Sequence, residues 1–475
     1  MQIDLILKNS NVAFGTSGAR GLVEHFTDDV CAAFTVAFLS LMRDQEGTSS
    51  VAIGFDRRPS SPAMAAACTA AARSMGFEVT DYGILPTPAL ALQAMTDGVP
   101  AIMITGSHIP FDRNGIKFYR PQGEITKQDE RAILDVIAEL PELSGSPVRE
   151  PESHEARTRY IARYVDWFEN KPLACKRIGL YQHSAAGRDL NVQVLEALGA
   201  DVIVLGRSEQ FVPVDTEAVS EADRVQARQW VREHNLDALL TTDGDGDRPL
   251  LADERGEWLR GDILGLLCAR ELQIQALAVP VSCNTAIEVS GAFNEVMRTR
   301  IGSPYVLEGM ALLSEQYDRV AGFEANGGFL LNTALENGHR RMVALPTRDA
   351  LLPALTLMVA ASCRQQPLSE FVAGLPERYT ASDRLKEFSV ERSRSLINDW
   401  ETHPQAMCHT LGLEENISAI DVTDGLRVTL ENGDIIHLRP SGNAPELRCY
   451  VESATEQGAE LRVAHVLNRL HRMPG

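Results

Sequence analysis

Asp243, Asp245 and Asp247 stand at alternate positions in TTDGDGDRP (241–249), directly after the apolar run Ala238-Leu239-Leu240. The glycines between them let the chain bend and bring three carboxylates to one centre. There they repel unless a positive charge sits among them, and a hard, oxygen-seeking divalent cation answers that need. A calcium EF-hand is one competing reading, since Glu254 is twelfth counting from Asp243. It fails because the sixth position is Arg248 instead of glycine, Pro249 follows, and both flanks read as strands. A phosphatase with an aspartate nucleophile and a plain solvated acidic turn are the remaining alternatives; metal binding accounts best for the spacing.

A second stretch, ITGSHIPFDRNGIKFY (104–119), ends an apolar strand on Ser107 and His108, breaks at Pro110, turns at Asn114-Gly115 and brings in Lys117. It reads either as a turn whose serine caps its own backbone or as a loop presenting a nucleophile. In HLRPSGNAPELRCYVE (437–452), Arg439, Ser441, Gly442 and Asn443 form a turn, with Arg448 just beyond. Glycine admits close backbone approach there, and the planar fork of arginine matches phosphate oxygens. NVAFGTSGARG (11–21) is flexible, rich in hydroxyls and ends in Arg20-Gly21. GFEANGGF (322–329) offers Glu324 and Asn326, a carboxylate and an amide suited to vicinal sugar hydroxyls, although an ordinary polar turn looks the same. In GFDRRPSS (54–61), Asp56 and Arg58 read as a local ion pair where a strand meets a helix. Together these stretches describe a phosphate-handling enzyme with a hydroxyl nucleophile, a divalent metal and a separate anion loop.

The elements that must position them alternate. VAIGF, FEVTDYG and AIMITG read as strands around an Ala-rich helix at 60–76 and a helix after Pro86-Thr87-Pro88. A polar stretch at 141–157 reads as a linker. The pattern restarts with RIGLYQ, a helix from about Asp189, DVIVLG, the helix ADRVQARQWVREHN and DALLTTD. A third round has a helix through DILGLLCARELQ, the strand AVPVS, a helix from Ala286, then RVAGFE and the helix RDALLPALTLMVAA. After Gln366 the character changes to a helix, a hairpin at Asn432-Gly433 and a closing amphipathic helix. The expected fold is α/β with four domains, three similar mixed α/β domains and a C-terminal α+β domain around a central cleft. Their expected bounds are 1–148 (serine loop), 156–256 (metal), 257–368 (sugar) and 380–475 (phosphate).

Composition sets limits. The chain has 475 residues, too many for one core, and a net charge of −20, which argues against nucleic-acid or anionic-membrane binding. Eight cysteines without any CxxC pair suit a reducing compartment. The N-terminus lacks the look of a signal sequence, and the longest apolar run, near 350–362, is too short to span a bilayer and contains Pro353. A cytoplasmic protein is expected.

The order GTSGxRG, TGSHxP, DGDxDR, a Glu-bearing sugar loop and RPSGxxPxxR is similar to that of the α-D-phosphohexomutases, in the phosphomannomutase and phosphoglucomutase branch, along essentially the whole chain. The resemblance implies a mutase that exchanges hexose 6-phosphate and hexose 1-phosphate, most often mannose phosphate with glucose phosphate as a further substrate. It implies phospho-Ser107, a hexose 1,6-bisphosphate intermediate that also serves as activator, and Mg²⁺ held by Asp243, Asp245, Asp247 and the Ser107 phosphate. Arg20, His108 and Lys117 match the basic residues around the phosphoserine, with Lys117 the proton-transfer candidate. Arg248, Glu324 and Asn326 would meet the substrate, and Arg439, Ser441, Gly442, Asn443 and Arg448 would hold its non-reacting phosphate. The expected partners are small-molecule sugar phosphates, with neither nucleic acid nor membrane, in a monomer or homodimer.

The chain departs from the family pattern at Gly106 and Ile109 in the serine loop, and at Asn443, where threonine is frequent. Where many members have Gly-Glu-x-Ser-Gly-His, it reads Phe323-Glu324-Ala325-Asn326-Gly327-Gly328, so the histidine is absent; His339 is a candidate replacement. The competing functions are a phosphoglucosamine mutase, a sugar-phosphate phosphatase using Ser107, and a catalytically inactive sugar-phosphate sensor.

Overall fold

Runs such as Ala101–Ile104 and Ala238–Thr242 are apolar or small throughout, so they are stable as strands only when covered on both faces. In the computed structural model of the chain, which describes residues 2–15, 18–142, 152–441 and 446–473, both are fully buried interior strands. The first sheet runs Ala13–Phe14, Ala19–Leu22, Arg113–Arg120, Ala101–Ile104, Ser50–Phe55, Glu78–Ile84, with Gly123–Glu124 added beside Arg113–Arg120. The second runs Pro249–Ala252, Ala238–Thr242, Arg177–His183, Asp201–Arg207. The third runs Glu295–Thr299, Ala276–Pro280, Val320–Phe323, Phe329–Leu331, Leu345–Asp349.

These three sheets share one plan. Each has three parallel strands. In each, the last parallel strand then turns straight back as an antiparallel partner: Ala101–Ile104 into Arg113–Arg120, Ala238–Thr242 into Pro249–Ala252, Val320–Phe323 into Phe329–Leu331. The turns between them carry Ser107, the three aspartates and Glu324. Three chemically different loops therefore occupy one equivalent place, at the carboxyl ends of parallel strands, where α/β sheets gather their sites.

The helices follow the local signals. Asp28–Glu46 starts where Thr27 Oγ1 accepts the Val30 N–H at 3.3 Å and stops at Gly47, whose φ is +65°. The third round departs from expectation. The helix at Ala286 is a single turn, Ala286–Val289, and the chain continues through an edge strand, Glu295–Thr299, and a helix, Ser303–Leu313. The edge strand is half-buried and carries Glu295 and Arg298, which hides it from an apolar pattern search. The expected linker at 141–157 lies partly outside the described residues, and from Glu155 it is helical: Glu155–Trp167 sends the hydroxyls of Tyr160 (2.6 Å) and Tyr164 to Asp349 of the third sheet.

The C-terminal sheet is antiparallel throughout, ordered Tyr379–Lys386, Glu446–Ser453, Ile435–Pro440, Leu426–Leu430, Ile417–Asp421, with the hairpin at Asn432-Gly433 as expected. It keeps a separate apolar core around Trp400, Val428 and Val451. By contrast, Leu90 and Tyr119 of the first unit, Leu180 and Leu240 of the second and Leu264 and Phe323 of the third belong to one continuous core. The C-terminal unit meets the third through polar contacts: Arg260 donates to the Thr380 carbonyl, Asn284 to the Arg378 carbonyl, Thr285 N–H to Glu452 and Ile301 N–H to Asp424.

Two buried histidines are expected to make the fold acid-sensitive. His183 and His437 each hold one ring nitrogen against a carbonyl, of Thr242 at 2.8 Å and of Asp424 at 2.6 Å, and burial pulls both down from 6.5 to about 4. The unfolded chain protonates these rings first, so stability is full above pH 6.5 and falls as pH drops toward 4. Urea unfolding at pH 7.5 and pH 5 is expected to show a loss of about 1–2 kcal/mol per histidine, and His437→Gln should flatten its share of that slope.

Candidate active site

The serine loop is held open by a buried arginine. Arg58 is 1% exposed and donates from Nη1 to the carbonyls of Pro110 (2.7 Å) and Arg113 (2.9 Å) and from Nη2 to those of Ser107 (2.8 Å) and Ile109 (2.6 Å). Its Nε pairs with Asp56 at 3.2 Å, and its guanidinium lies over the Phe211 ring at 4.1 Å. Asp56 in turn accepts from Ser61 and Thr105, and Thr105 Oγ1 accepts the Ser107 N–H at 2.8 Å. The expected Asp56–Arg58 ion pair exists, but its larger task is to fix a turn in which Ser107 takes φ +55°, a left-handed conformation that costs a non-glycine residue about 1 kcal/mol.

That turn delivers Ser107 to the second unit. Ser107 Oγ donates to Asp243 Oδ2 at 2.6 Å, and Ser107 itself is fully buried. A Cβ on Gly244 would sit 2.7 Å from the Ser107 carbonyl oxygen, so glycine is what lets the two loops touch. Lys117, from the strand leaving the serine loop, gives Nζ hydrogen bonds to Asp245 Oδ2 at 2.6 Å and Asp247 Oδ2 at 2.7 Å. Thr87, at the start of the helix Thr87–Asp97, adds a hydroxyl to Asp245 at 2.5 Å. The three aspartates are at most 1% exposed, and one oxygen of each lies within 4.8 Å of the others. Asp245 Oδ1 and Asp247 Oδ1 are buried without a hydrogen-bond partner among the described residues. Two orphaned carboxylate oxygens beside a third carboxylate fit a hard divalent cation.

Arg348 joins this centre to the sugar loop. It is 2% exposed, with Nε at 3.0 Å from Asp247 Oδ2 and Nη1 at 2.9 Å from Glu324 Oε2. Asn326 turns Oδ1 to the Gly328 N–H at 3.0 Å, and its carbonyl accepts from Thr216. In the C-terminal sheet Arg384, Arg448 and Arg439 are cross-strand neighbours in one row. Like charges in direct register repel, and Glu446 at 3.7 Å from Arg384 offsets part of that charge. Arg439 meets Asp424 at 2.8 Å, and Ser441 is buried with its N–H on the Glu446 carbonyl. Gly442 and Asn443 lie outside the described residues. Arg384, Arg448 and Tyr450 face His108, Asp215, Glu217 and Arg248 across a cavity of about 200 Å³. Larger cavities of about 320 and 480 Å³ lie beside the helix Leu351–Arg364, away from these residues.

The electrostatics separate the three carboxyls. Burial and the charges of Asp245 and Asp247 push Asp243 well above the usual carboxylate range. Burial pushes Asp247 up too, but Arg348, Lys117 and Arg248 outweigh it and hold the group far below that range. Asp245 is lowered, the Lys117 charge and hydrogen bond prevailing over burial and Asp247. His108 Nδ1 accepts from Arg248 at 2.9 Å and lies 3.4 Å from Ser107 Oγ; burial and Arg248 bring it down to about 3, so the ring is neutral. Burial and Arg248 lower Arg20 to about 10.

Ser107, His108, Lys117, the three aspartates and Arg248 thus share direct contacts, and Arg20 lies in the same field. Glu324 connects through Arg348, while Arg448 faces the site across the cleft. His339 does not join them: it is exposed on a hairpin and pairs with Glu169 at 2.8 Å. Arg58, Thr87 and Arg348, in contact with the loops of the site, and Asp215 and Glu217, lining the cavity, are neighbours that sequence reasoning passes over or underrates.

Comparison with known proteins agrees along the chain. The family described as phosphoglucomutase/phosphomannomutase matches through its α/β/α domain I at 11–143, domain II at 158–256, domain III at 260–379 and C-terminal domain at 383–469. The chain is 53% identical to a phosphomannomutase of Salmonella muenchen, over 98% of this chain and 97% of that one. It is 43% identical to a phosphomannomutase of Sinorhizobium fredii, over 96% and 98%. A crystal structure of a phosphoglucomutase/phosphomannomutase family protein from Burkholderia thailandensis shares the fold, with TM-score 0.73 at 19% identity and 96% of each chain covered.

Proposed function

Because the chain belongs to the phosphoglucomutase/phosphomannomutase family, and so is an isomerase that transfers phosphate within a sugar, we propose that it interconverts mannose 6-phosphate and mannose 1-phosphate, with glucose phosphate as a second substrate. The observation that carries this reading is Ser107 Oγ at 2.6 Å from Asp243, in a buried triad with orphaned oxygens. The two relatives named phosphomannomutase favour mannose.

In the proposed reaction phospho-Ser107 passes its phosphoryl group to the open hydroxyl of a hexose monophosphate, giving a hexose 1,6-bisphosphate that also serves as activator. The sugar turns around in the cleft, and Ser107 takes back the other phosphate. Asp243, Asp245, Asp247 and an oxygen of the Ser107 phosphate would hold Mg²⁺, which when bound neutralises charge on the phosphoryl oxygens. Lys117, oriented by Asp245 and Asp247, carries the proton of the reacting hydroxyl. Arg20 and Arg248 add positive charge beside the transferring group, and neutral His108 orients Arg248. Glu324 and Asn326 grip sugar hydroxyls in both orientations, while Arg439, Ser441, Gly442, Asn443 and Arg448 hold the phosphate that does not react. A cytoplasmic location suits eight cysteines that are all thiols; among the described residues, no helix is long and apolar enough to cross a membrane.

A coupled assay with mannose 1-phosphate or glucose 1-phosphate, Mg²⁺ and catalytic hexose 1,6-bisphosphate tests this. Exchange on mannose phosphate that stops on chelation and returns with Mg²⁺ is the expected result. Release of inorganic phosphate in place of exchange would turn the assignment to a phosphatase, and exchange confined to glucosamine phosphate would move the substrate.

A further inference from the structure

Arg348 and Gly328 share one space. A Cβ on Gly328 would lie 2.5 Å from Cδ, 2.7 Å from Cγ and 2.9 Å from Cβ of Arg348, so no side chain fits at 328 while Arg348 holds its place. Arg348 leaves the strand Leu345–Asp349, crosses over residue 328 and buries its guanidinium between two carboxylates of different units. It reaches Glu324 at 2.9 Å on the sugar loop and Asp247 Oδ2 at 3.0 Å, the same oxygen that Lys117 contacts at 2.7 Å. A buried fork between two carboxylates constrains their separation as a single ammonium cannot.

We propose that Arg348 is a positioning residue for phosphate exchange: it spaces the sugar-loop carboxylate from the metal triad and tempers the negative charge that the triad offers a cation. The inference deepens the reading above and rests on it for the sugar, though not for the cation. It gives a physical cause for one departure of the loop, glycine at 328 where the family pattern has histidine. The volume a side chain at 328 would need is filled by a side chain arriving from residue 348.

Three variants test it, with Mg²⁺ titrated by calorimetry in the absence of sugar and exchange kinetics read as kcat and KM. Arg348→Met removes a cation beside Asp247 and should bind Mg²⁺ about three- to tenfold more tightly. Its kcat should nevertheless fall about 100-fold, more than KM rises, because Glu324 is no longer spaced from the metal. Tighter metal binding with slower turnover is a signature that a merely structural role would not produce. Arg348→Lys keeps the charge without the fork, so Mg²⁺ affinity should stay within about twofold of the parent while kcat still falls at least about tenfold. Gly328→Ala should lower kcat by pushing Arg348 aside, and adding it to Arg348→Met should cost little more. Unchanged or weaker Mg²⁺ binding in Arg348→Met, or kcat retained within about threefold, overturns the proposal. If Arg348→Met fails to fold, the Lys and Gly328 variants decide by turnover: kcat retained within about threefold in both overturns the proposal. A parent protein that exchanges no hexose phosphate defeats the mannose reading, and the Mg²⁺ titration still decides whether Arg348 tempers the triad.

Discussion

Replacing Ser107 by alanine is expected to lower hexose-phosphate exchange at least about a thousandfold while leaving the fold in place. The argument rests on what holds the loop. The Ser107 amide donates to Thr105 Oγ1 and its carbonyl accepts from Arg58, so neither anchor uses the hydroxyl. Alanine keeps the left-handed backbone at φ +55° with its strain, and removes Oγ with its bond to Asp243 and its 3.4 Å contact to His108. A change confined to one side chain should leave the urea midpoint near that of the parent, while Mg²⁺ binds more weakly for want of the Ser107 phosphate oxygen. It should abolish labelling of the protein by radioactive hexose bisphosphate. Activity retained within about tenfold would move the nucleophile elsewhere, with Asp243 the next to test.

The second large effect is on stability. Arg58→Met should cost about 3–5 kcal/mol, because it strips a buried guanidinium from four carbonyls and from Asp56 at once. Burial alone already pushes Asp56 above its ordinary value with Arg58 present. Without that partner the carboxylate must stay charged in a dry site or take a proton. Asp56→Asn on top of Arg58→Met should therefore restore part of the loss, which separates an unpaired charge from a mere cavity. Exchange activity should collapse in the single variant even where the protein remains folded, since Ser107 is no longer presented to Asp243. Urea unfolding and the coupled assay together check both halves; a stability loss below about 1 kcal/mol would show that the carbonyls find other donors or water.

Legibility in the sequence followed the distance between partners. The aspartate loop and the serine loop each pack their chemistry into a few consecutive residues after an apolar strand, so residue type and spacing expose them. Arg58 works on carbonyls 49 to 55 positions away, Thr87 on Asp245 158 positions away and Arg348 on Asp247 101 positions away. No local pattern contains both ends of such a contact, and an arginine in a polar stretch looks like surface. The fold class was readable because buried parallel strands and their helices alternate in plain apolar runs. The strand Glu295–Thr299 was not, because an edge strand half in solvent carries no such run. The Glu324 loop stood out as a glycine-bracketed polar turn but not in its wiring, since nothing nearby in sequence announces that Arg348 lies across Gly328.

The ion pairs around the three aspartates also govern how the chain can be divided. The carboxylates come from the second unit, Lys117 from the first and Arg348 from the third. A fragment cut to the second sheet alone would keep three crowded negative charges and lose the two cations that contact them most closely. Such a piece is a poor candidate for autonomous folding, and a circular permutation or truncation that delays the first or third unit would leave a nascent chain with a charge imbalance in its interior. The C-terminal unit, with its separate core and polar seam, is well suited to exchange between relatives as a cassette.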